Sequence, residues 1–169
     1  MVAKTTTTSG PMAKKSGEAV RAHVLIIEAR FYEAIAEFMA DGAMAELTAR
    51  GATFERIAVP GALEIPQVLA AASAARAAGR RAFDGAIALG CVIRGETGHY
   101  DIVCNNANHW LMDVATRQDV PVGNGILTVE NEAQALARAQ GGAAGKGGDA
   151  ARACLALIEI KRGFWGHAQ

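Results

Sequence analysis

The chain has 169 residues, 51% of them apolar, and its 17 acidic residues balance its 17 basic residues. This composition is typical of one globular domain with a substantial core. Because the net charge is zero, the protein lacks the overall positive charge by which nucleic-acid-binding and membrane-binding proteins attract their partners. No segment reaches the roughly 18 apolar residues of a membrane span, and the N-terminus lacks an apolar signal sequence. We therefore expect a cytoplasmic protein with neither nucleic acid nor a membrane as a partner.

The three cysteines, Cys91, Cys104 and Cys154, lie singly in apolar stretches. They form no CxxC pair and show no metal-ligand spacing, so we interpret them as buried, reduced thiols and predict no metal site. Reduced thiols agree with a cytoplasmic location.

Short β-branched runs alternate with longer helical patterns along the chain. Residues 1–18 are rich in Thr, Lys, Gly and Ser and predict a flexible tail, residues 19–163 form the domain, and residues 164–169 form a C-terminal tail. The predicted strands are at 23–27, 53–59, 86–89 and 125–129. The first helix follows the first strand, and its apolar side carries Phe31, Ile35, Phe38, Met39 and Leu47. The second helix follows Pro60 and Gly61, and the remaining helices are predicted at about 100–118, 131–139 and 149–162.

Strands that alternate with crossover helices predict a parallel sheet. Four strands and five helices give an α/β fold, a single-domain three-layer α/β/α sandwich with a four-stranded parallel sheet in a flavodoxin-like arrangement. Ligands of such open sheets bind beyond the carboxyl ends of the strands. The functional residues are therefore expected in the loops that follow the strands.

The loop after the third strand has the sequence RGETGH, residues 94–99. Its two glycines let the backbone turn tightly, and the free N–H groups near Glu96 and Thr97, at the start of a helix, favour an anion such as phosphate. The alternative is an ordinary strand-to-helix turn with Thr97 as the N-cap.

His99 lies at the mouth of this loop. Because imidazole gives and takes protons near neutral pH, His99 is the candidate general acid and base, and the alternative is a surface or packed histidine. The other histidines have less favourable settings, since His23 lies in a strand, His109 in the middle of a helix and His167 at the C-terminal end.

The loop after the second strand has the sequence VPGALEIP. The strand ends at Pro60, and a helix opens at residues 62–64, so backbone donors and the Glu64 carboxylate face the same crevice and suit the hydroxyl groups of a polyol. The alternative is a plain helix start with an acidic residue in its first turn.

Three further residues are candidates. Phe31, in EARFY after the first strand, offers an aromatic face to a planar heterocycle or else packs in the core. Arg138 and Lys146 lie on either side of a glycine-rich break and suit phosphate, with a solvated helix face as the alternative for Arg138. This break, GGAAGKGG, is no P-loop, because Gln140 replaces the first glycine and Gly147 the Ser or Thr.

In this order VPGALEIP, LGCVIRGETGHYD, PVGNGILTVEN and the Arg138 and Lys146 pair resemble the 6,7-dimethyl-8-ribityllumazine synthase family, over about residues 20–160. The pattern GxVIRGExxHxD after a strand is highly specific. The resemblance implies a transferase of riboflavin biosynthesis that needs no cofactor. Such an enzyme condenses 5-amino-6-(D-ribitylamino)uracil with 3,4-dihydroxy-2-butanone 4-phosphate and releases phosphate and water.

The resemblance also implies a role for each matching residue, with His99 as the proton-transfer histidine. The pyrimidine and its ribityl chain would be bound by Phe31, Ala62, Leu63, Glu64, Cys91, Val92, Ile93 and Asn124. The butanone phosphate would be bound by Glu96, Thr97, Arg138 and Lys146. Of these residues, Asn124, Arg138 and Lys146 would come from a neighbouring subunit.

A shared site predicts an obligate ring, and the resemblance implies that this ring is a homopentamer with its sites at subunit interfaces. In relatives an insertion between the counterparts of Arg138 and Lys146 accompanies free pentamers, so its absence here is compatible with a closed icosahedral shell. The polar face of the third helix is interpreted as a wet subunit interface or a central pore, or else as a solvated face. It carries Asn105, Asn106, Asn108, His109 and Asp113.

Two residues depart from the family's pattern. Leu63 stands where many relatives have Phe or Tyr, and Asn124 where many have Phe. Because stacking contributes about 1 kcal/mol beyond burial, we expect weaker pyrimidine binding and the same reaction. These departures also support an alternative function, a non-catalytic lumazine- or flavin-binding shell protein with the same fold. A phosphate-binding regulatory module has only the fold in its favour.

Overall fold

The computed structural model describes residues 19–166, so the predicted N-terminal tail and His167 lie outside the described residues. The elements in chain order are β1 His23–Ala29, α1 Glu33–Ala49, β2 Thr53–Val59, a 3-10 turn Ala62–Glu64, α2 Ile65–Ala77, β3 Gly85–Ile93, α3 His99–Arg117, β4 Val122–Val129, α4 Glu132–Ala139, a 3-10 turn Gly142–Ala144 and α5 Lys146–Trp165. The predicted α/β class and the parallel four-stranded sheet are confirmed.

The strand order of the sheet is β2-β1-β3-β4, and every neighbouring pair is parallel. The chain moves from β1 to β2 on one side and then places β3 on the other side of β1. The direction of winding therefore reverses between β1 and β3. β3 extends to Ile93, beyond the predicted end near Leu89, because Cys91, Val92 and Ile93 pair with the last residues of β4.

The helices cover both faces of the sheet. Residues of α1, α4 and α5 form one apolar core with β1 and β3, and residues of α2 and α3 form a second core on the opposite face. This arrangement is the predicted three-layer sandwich. Within residues 19–166, no helix combines the length and the apolar composition that crossing a bilayer requires.

The glycine-rich segment was predicted as a break in the chain before a helix that begins at Asp149, and the structure differs from this prediction. α5 already begins at Lys146, and Gly147 and Gly148 are buried within its first turn. An added Cβ at Gly147 would lie 1.9 Å from the carbonyl oxygen of Met39, so glycine is what lets α5 approach α1 this closely. At the other end α5 continues to Trp165, past the predicted end near Arg162.

The first helix also differs from its predicted apolar side. Helix α1 begins at Glu33, so Phe31 precedes it, and Phe38 is 39% exposed. The predicted Ile35, Met39 and Leu47 are buried on α1, and the small residues Ala36, Ala40, Gly42 and Ala43 fill the rest of its buried side.

We predict that Gly123→Ala lowers the free energy of unfolding by at least about 2 kcal/mol, because the added methyl group overpacks the contact between β4 and α5. The new Cβ would lie 1.9 Å from the carbonyl oxygen of Ala150, a backbone atom of a buried helix. Urea denaturation measures the change. Gly95→Ala is the control for stability, since no atom lies within 4 Å of its added Cβ. A Gly123→Ala variant as stable as the Gly95→Ala variant would contradict this packing.

Candidate active site

A cleft of about 320 Å³ opens at the carboxyl ends of β1, β2 and β3. Its lining includes most of the predicted site residues, namely Phe31, Ala62, Leu63, Glu64, Cys91, Val92, Ile93, Thr97 and His99. The cleft lies where the direction of winding reverses. There α1 leaves β1 toward one face of the sheet and α3 leaves β3 toward the other, so the two loops diverge and leave a crevice between them.

The side chain of Phe31 forms one wall of the cleft. It is 72% exposed and therefore does not belong to the core, which was the alternative for this residue. Its ring meets that of Tyr32 edge to face, with 5.0 Å between the ring centroids. An exposed ring beside an opening offers its apolar face to a planar ligand.

A group of ion pairs holds the chain just before Phe31. The Glu28 carboxylate, only 2% exposed, accepts hydrogen bonds from Arg56 Nε at 2.7 Å and from Arg30 Nη1 at 3.0 Å. Arg30 Nη2 also donates to Glu37 in α1 at 3.0 Å, and this hydrogen bond lowers the pKa of Glu37. Strands β1 and β2 and helix α1 are thus joined directly beneath the Phe31 wall.

The RGETGH loop leads into α3 with little support of its own. Helix α3 begins at His99, its N-cap is Gly98 rather than Thr97, and no side chain caps it. The Thr97 hydroxyl accepts a hydrogen bond from the backbone N–H of His99 at 3.4 Å. His99 is exposed at the rim of the cleft, whereas Glu96 is exposed outside its lining.

The cleft has lining residues that the sequence analysis did not single out, among them Tyr32, Tyr100 and Val103. Tyr32 and Tyr100 each follow a predicted site residue directly in the sequence. A search of the neighbours of Phe31 and His99 would have found both tyrosines. Val103 is a buried residue of α3 that also lines the cleft.

Asn124, Arg138 and Lys146 lie together in a second pocket of about 430 Å³, and none of them lines the His99 cleft. Lys146 Nζ pairs with Asp149 at 3.1 Å, and Arg138 Nη1 donates to the Gln134 carbonyl at 3.1 Å. Both cations are exposed and remain accessible to an anion. In one chain, therefore, the predicted cations and the predicted proton-transfer histidine occupy separate sites, as expected if a neighbouring subunit supplies the cations.

The amide of Asn124 is held by its own chain. Its Nδ2 donates to Asn108 Oδ1 at 2.7 Å, and its Oδ1 accepts from the N–H of Ile126 at 3.0 Å. Asn108 in turn donates to the carbonyl of Cys104 at 2.8 Å. Part of the polar face predicted for α3 thus orients a residue of the second pocket, while Asn105, Asn106 and His109 remain exposed.

All three cysteines are free, with Cys91 and Cys154 buried and Cys104 only partly buried. Burial, and to a lesser degree the nearby Cys104, raises the pKa of Cys91 to about 11, and burial raises the pKa of Cys154 to about 12. Cys91 therefore presents a neutral thiol to the cleft. Within residues 19–166, no group of three or more His, Cys, Asp or Glu side chains is placed to hold a metal ion.

Comparison with known proteins identifies the family. The family model described as 6,7-dimethyl-8-ribityllumazine synthase matches residues 21–162. The chain is 53% identical to 6,7-dimethyl-8-ribityllumazine synthase 1 of Rhizobium meliloti over 83% of this chain and 92% of the relative. It is 50% identical to the 6,7-dimethyl-8-ribityllumazine synthase of Methylobacterium radiotolerans over 96% and 95% of the two chains. The chain belongs to the 6,7-dimethyl-8-ribityllumazine synthase family.

We predict that Cys91 in the native protein reacts slowly with iodoacetamide at pH 9. A pKa of about 11 in place of 9.0 leaves about fiftyfold less thiolate at this pH, and the thiolate is the reactive form. Mass spectrometry of the Cys91 peptide measures the rate, with the chain unfolded in guanidinium chloride as the control. Equal rates in the native and the unfolded chain would contradict the burial of this thiol.

Proposed function

We propose that the chain catalyses the 6,7-dimethyl-8-ribityllumazine synthase reaction of riboflavin biosynthesis, a transferase reaction. It condenses 5-amino-6-(D-ribitylamino)uracil with 3,4-dihydroxy-2-butanone 4-phosphate and releases inorganic phosphate and two waters. The observation that carries the proposal is the family match over residues 21–162, with about half of the residues identical to those of the named relatives. The cleft supports it independently, because motif residues from three separate loops line one opening.

The reaction consists of proton transfers around two condensations. The pyrimidine's C5 amine attacks the ketone of the butanone, and water leaves to give an imine. Loss of a proton from the adjacent carbon expels phosphate, and the resulting enol becomes a ketone. The ribityl-bearing amine attacks this ketone, and a second water leaves as the ring closes. Each step needs a group that accepts and returns a proton near neutral pH, and we assign this role to His99.

The binding roles follow from the walls of the cleft. The exposed ring of Phe31 and the chain at Cys91–Ile93 would hold the pyrimidine between an apolar face and backbone groups. The Ala62–Glu64 turn, with the Glu64 carboxylate, would bind the ribityl hydroxyl groups. Leu63 provides an apolar wall without stacking, so the heterocycle would be held chiefly by Phe31.

The phosphate site is incomplete within one chain. Thr97 and the uncapped N-terminus of α3 provide hydrogen-bond donors, and Glu96 lies on the same loop. Among residues 19–166, the lining of the cleft contains no Lys or Arg, and its one carboxylate, Glu64, repels a phosphate dianion. A phosphate ester beside a carboxylate needs a cation, and Arg138 and Lys146 are the exposed cations of the second pocket. We propose that a neighbouring subunit supplies them, together with Asn124.

Apolar surfaces adjoin both pockets and support this assembly. A groove between α2 and α3, lined by Leu63, Pro66, Ala70, Trp110 and Val114, adjoins the cleft through Leu63. On α5, Ala153 lines the second pocket, and the exposed Leu157, Ile160 and Phe164 continue from it at helical spacing. We call the first surface the α2–α3 groove and the second the α5 stripe.

If the α5 stripe of one chain packs in the α2–α3 groove of the next, the second pocket of the first chain meets the His99 cleft of the other. The two surfaces differ, so the contact is heterologous, and repetition about one axis closes it into a ring. We propose the homopentamer as this ring, and the lack of an insertion between Arg138 and Lys146 is compatible with further assembly into a closed icosahedral shell. Three free cysteines fit a reducing compartment, and we include a cytoplasmic location in the proposal.

We predict that His99→Ala lowers kcat by about ten- to a hundredfold with little change in product binding, because it removes the proton carrier and leaves the walls of the cleft intact.

Arg138→Ala should raise KM for the butanone phosphate about ten- to a hundredfold, since a charge-assisted contact is lost. Lumazine absorbance and phosphate release measure both effects.

The matched control is Arg117→Ala, which removes an arginine exposed outside both pockets and should leave both constants unchanged. Wild-type protein that binds 6,7-dimethyl-8-ribityllumazine but forms none above the uncatalysed rate would contradict the enzyme and support the non-catalytic shell. A fully active Ala variant at position 99 would move the proton role to another group.

We predict that Leu157→Asp breaks the ring into smaller species, because it buries a charge in the α5 stripe. Sedimentation velocity measures the size and also separates a free pentamer from a shell. Phe38→Asp is the matched control, since Phe38 is a comparably exposed apolar residue on α1, outside both surfaces. An intact ring for Leu157→Asp, or equal dissociation of both variants, would contradict the proposed contact.

A further inference from the structure

Arg94, the first residue of the RGETGH loop, does not line the cleft and has no role in the site described above. Its backbone N–H donates to the carbonyl of Val129 at 2.9 Å, so the residue is still fixed to β4 at the point where the loop begins. The side chain then extends along the outside of the loop toward the first turn of α3. Its side-chain partners are Tyr100 and Asp101 in this turn and Glu130 directly after β4.

The guanidinium group of Arg94 makes three contacts at once. Its Nη1 and Nη2 donate to the two carboxylate oxygens of Asp101, each at 3.4 Å, and its Nε donates to Glu130 at 2.9 Å. Its central carbon lies 4.0 Å from the centroid of the Tyr100 ring. Tyr100 and Asp101 directly follow His99, so two of the three contacts are made to the helical turn that begins at His99.

The Tyr100 side chain also forms hydrogen bonds with Thr128 of β4 and Cys104 of α3, but the loop before the turn has few attachments of its own. Gly98, the N-cap of α3, provides no side-chain hydrogen bond, and an added Cβ at Gly95 or Gly98 would meet no atom within 4 Å. The His99 N–H donates to the Thr97 hydroxyl over a long 3.4 Å. A loop with two unhindered glycines has many accessible conformations, so an external contact is needed to select one of them.

We propose that Arg94 is a positioning residue, which orients the first turn of α3 against the end of β4 and so places His99 and Thr97 over the cleft. The proposal rests on the proposed function, since the benefit of this placement is the proton transfer at His99. Lysine cannot replace arginine here, because a fork of donors and a planar group that stacks on Tyr100 are both required.

The energetics separate this role from a general contribution to stability. Arg94, Asp101 and Glu130 are all exposed, and exposed ion pairs contribute little to the free energy of unfolding. A misplacement of a reacting group by about 1 Å, by contrast, costs about a hundredfold in rate. Loss of Arg94 should therefore reduce turnover far more than it reduces the melting temperature.

The experiment compares Arg94→Met and Arg94→Lys with wild type. We expect kcat per active site, titrated by the fluorescence of bound 6,7-dimethyl-8-ribityllumazine, to fall at least about tenfold in both variants. KM for the pyrimidine should stay within about twofold, because Phe31 and Ala62–Glu64 are held by β1 and β2. A substitution that only unfolds part of the sample would reduce the number of titrated sites and leave kcat per site unchanged.

Asp101→Asn breaks the same contact from the other side. The double variant Arg94→Met with Asp101→Asn should be no slower than the slower single variant, because both remove one interaction. Arg117→Met is the control, since Arg117 pairs with Asp113 at the opposite end of α3 and should keep wild-type turnover. The proposal would be overturned if Arg94→Met or Arg94→Lys kept the wild-type kcat per site. It would also be overturned if the losses in kcat of the two single variants multiplied in the double variant.

Hydrogen exchange supplies a readout that does not depend on catalysis. The amides of residues 99–103 should exchange faster in Arg94→Met than in wild type, whereas those of the same turn in Arg117→Met should not. A wild-type protein without turnover would reject the proposed function, and the exchange rates would still decide whether Arg94 fixes this turn. Unchanged exchange at residues 99–103 in Arg94→Met would overturn the positioning role.

Discussion

The reversal of winding between β1 and β3 is the constraint on which the rest of the structure depends. Because β1 is followed by a helix on one face of the sheet and β3 by a helix on the other, the loops after these strands separate and leave a cleft. Phe31 and His99 lie on opposite sides of this cleft as a direct consequence of strand order. The turn after β2 closes the third side.

The same topology leaves the electrostatics of the cleft unbalanced. Strand β4 is an edge strand, and the helices that follow it return to the face of α1, so Arg138 and Lys146 are carried away from His99. In the part of the chain that the structure describes, the cleft thus has a carboxylate and hydrogen-bond donors but no lining cation. In the proposed assembly, the second pocket of another copy completes the site for a phosphate ester, so assembly would be a condition of activity.

Sequence patterns predicted the strands, their parallel pairing and the loops that form the cleft, because buried strands and strand-end loops have local signals. The buried Glu28 and its pair with Arg56 were not predicted, since this contact joins residues 28 positions apart and depends on the register of β1 against β2. Gly147 was interpreted as a chain break, because sequence alone does not distinguish a flexible glycine from one that permits a close helix contact. The role of Arg94 likewise depends on where β4 ends.

The claim that two chains share one site is tested most directly by mixing two impaired variants, His99→Ala and Arg138→Ala, under conditions that exchange subunits, and assaying them at butanone phosphate concentrations well below KM. In a mixed ring, an Arg138→Ala chain supplies the histidine and its His99→Ala neighbour supplies the arginine, so random mixing should restore about one quarter of wild-type activity. Native mass spectrometry establishes that mixed rings form. Mixed rings no more active than the two parent variants would contradict the shared site.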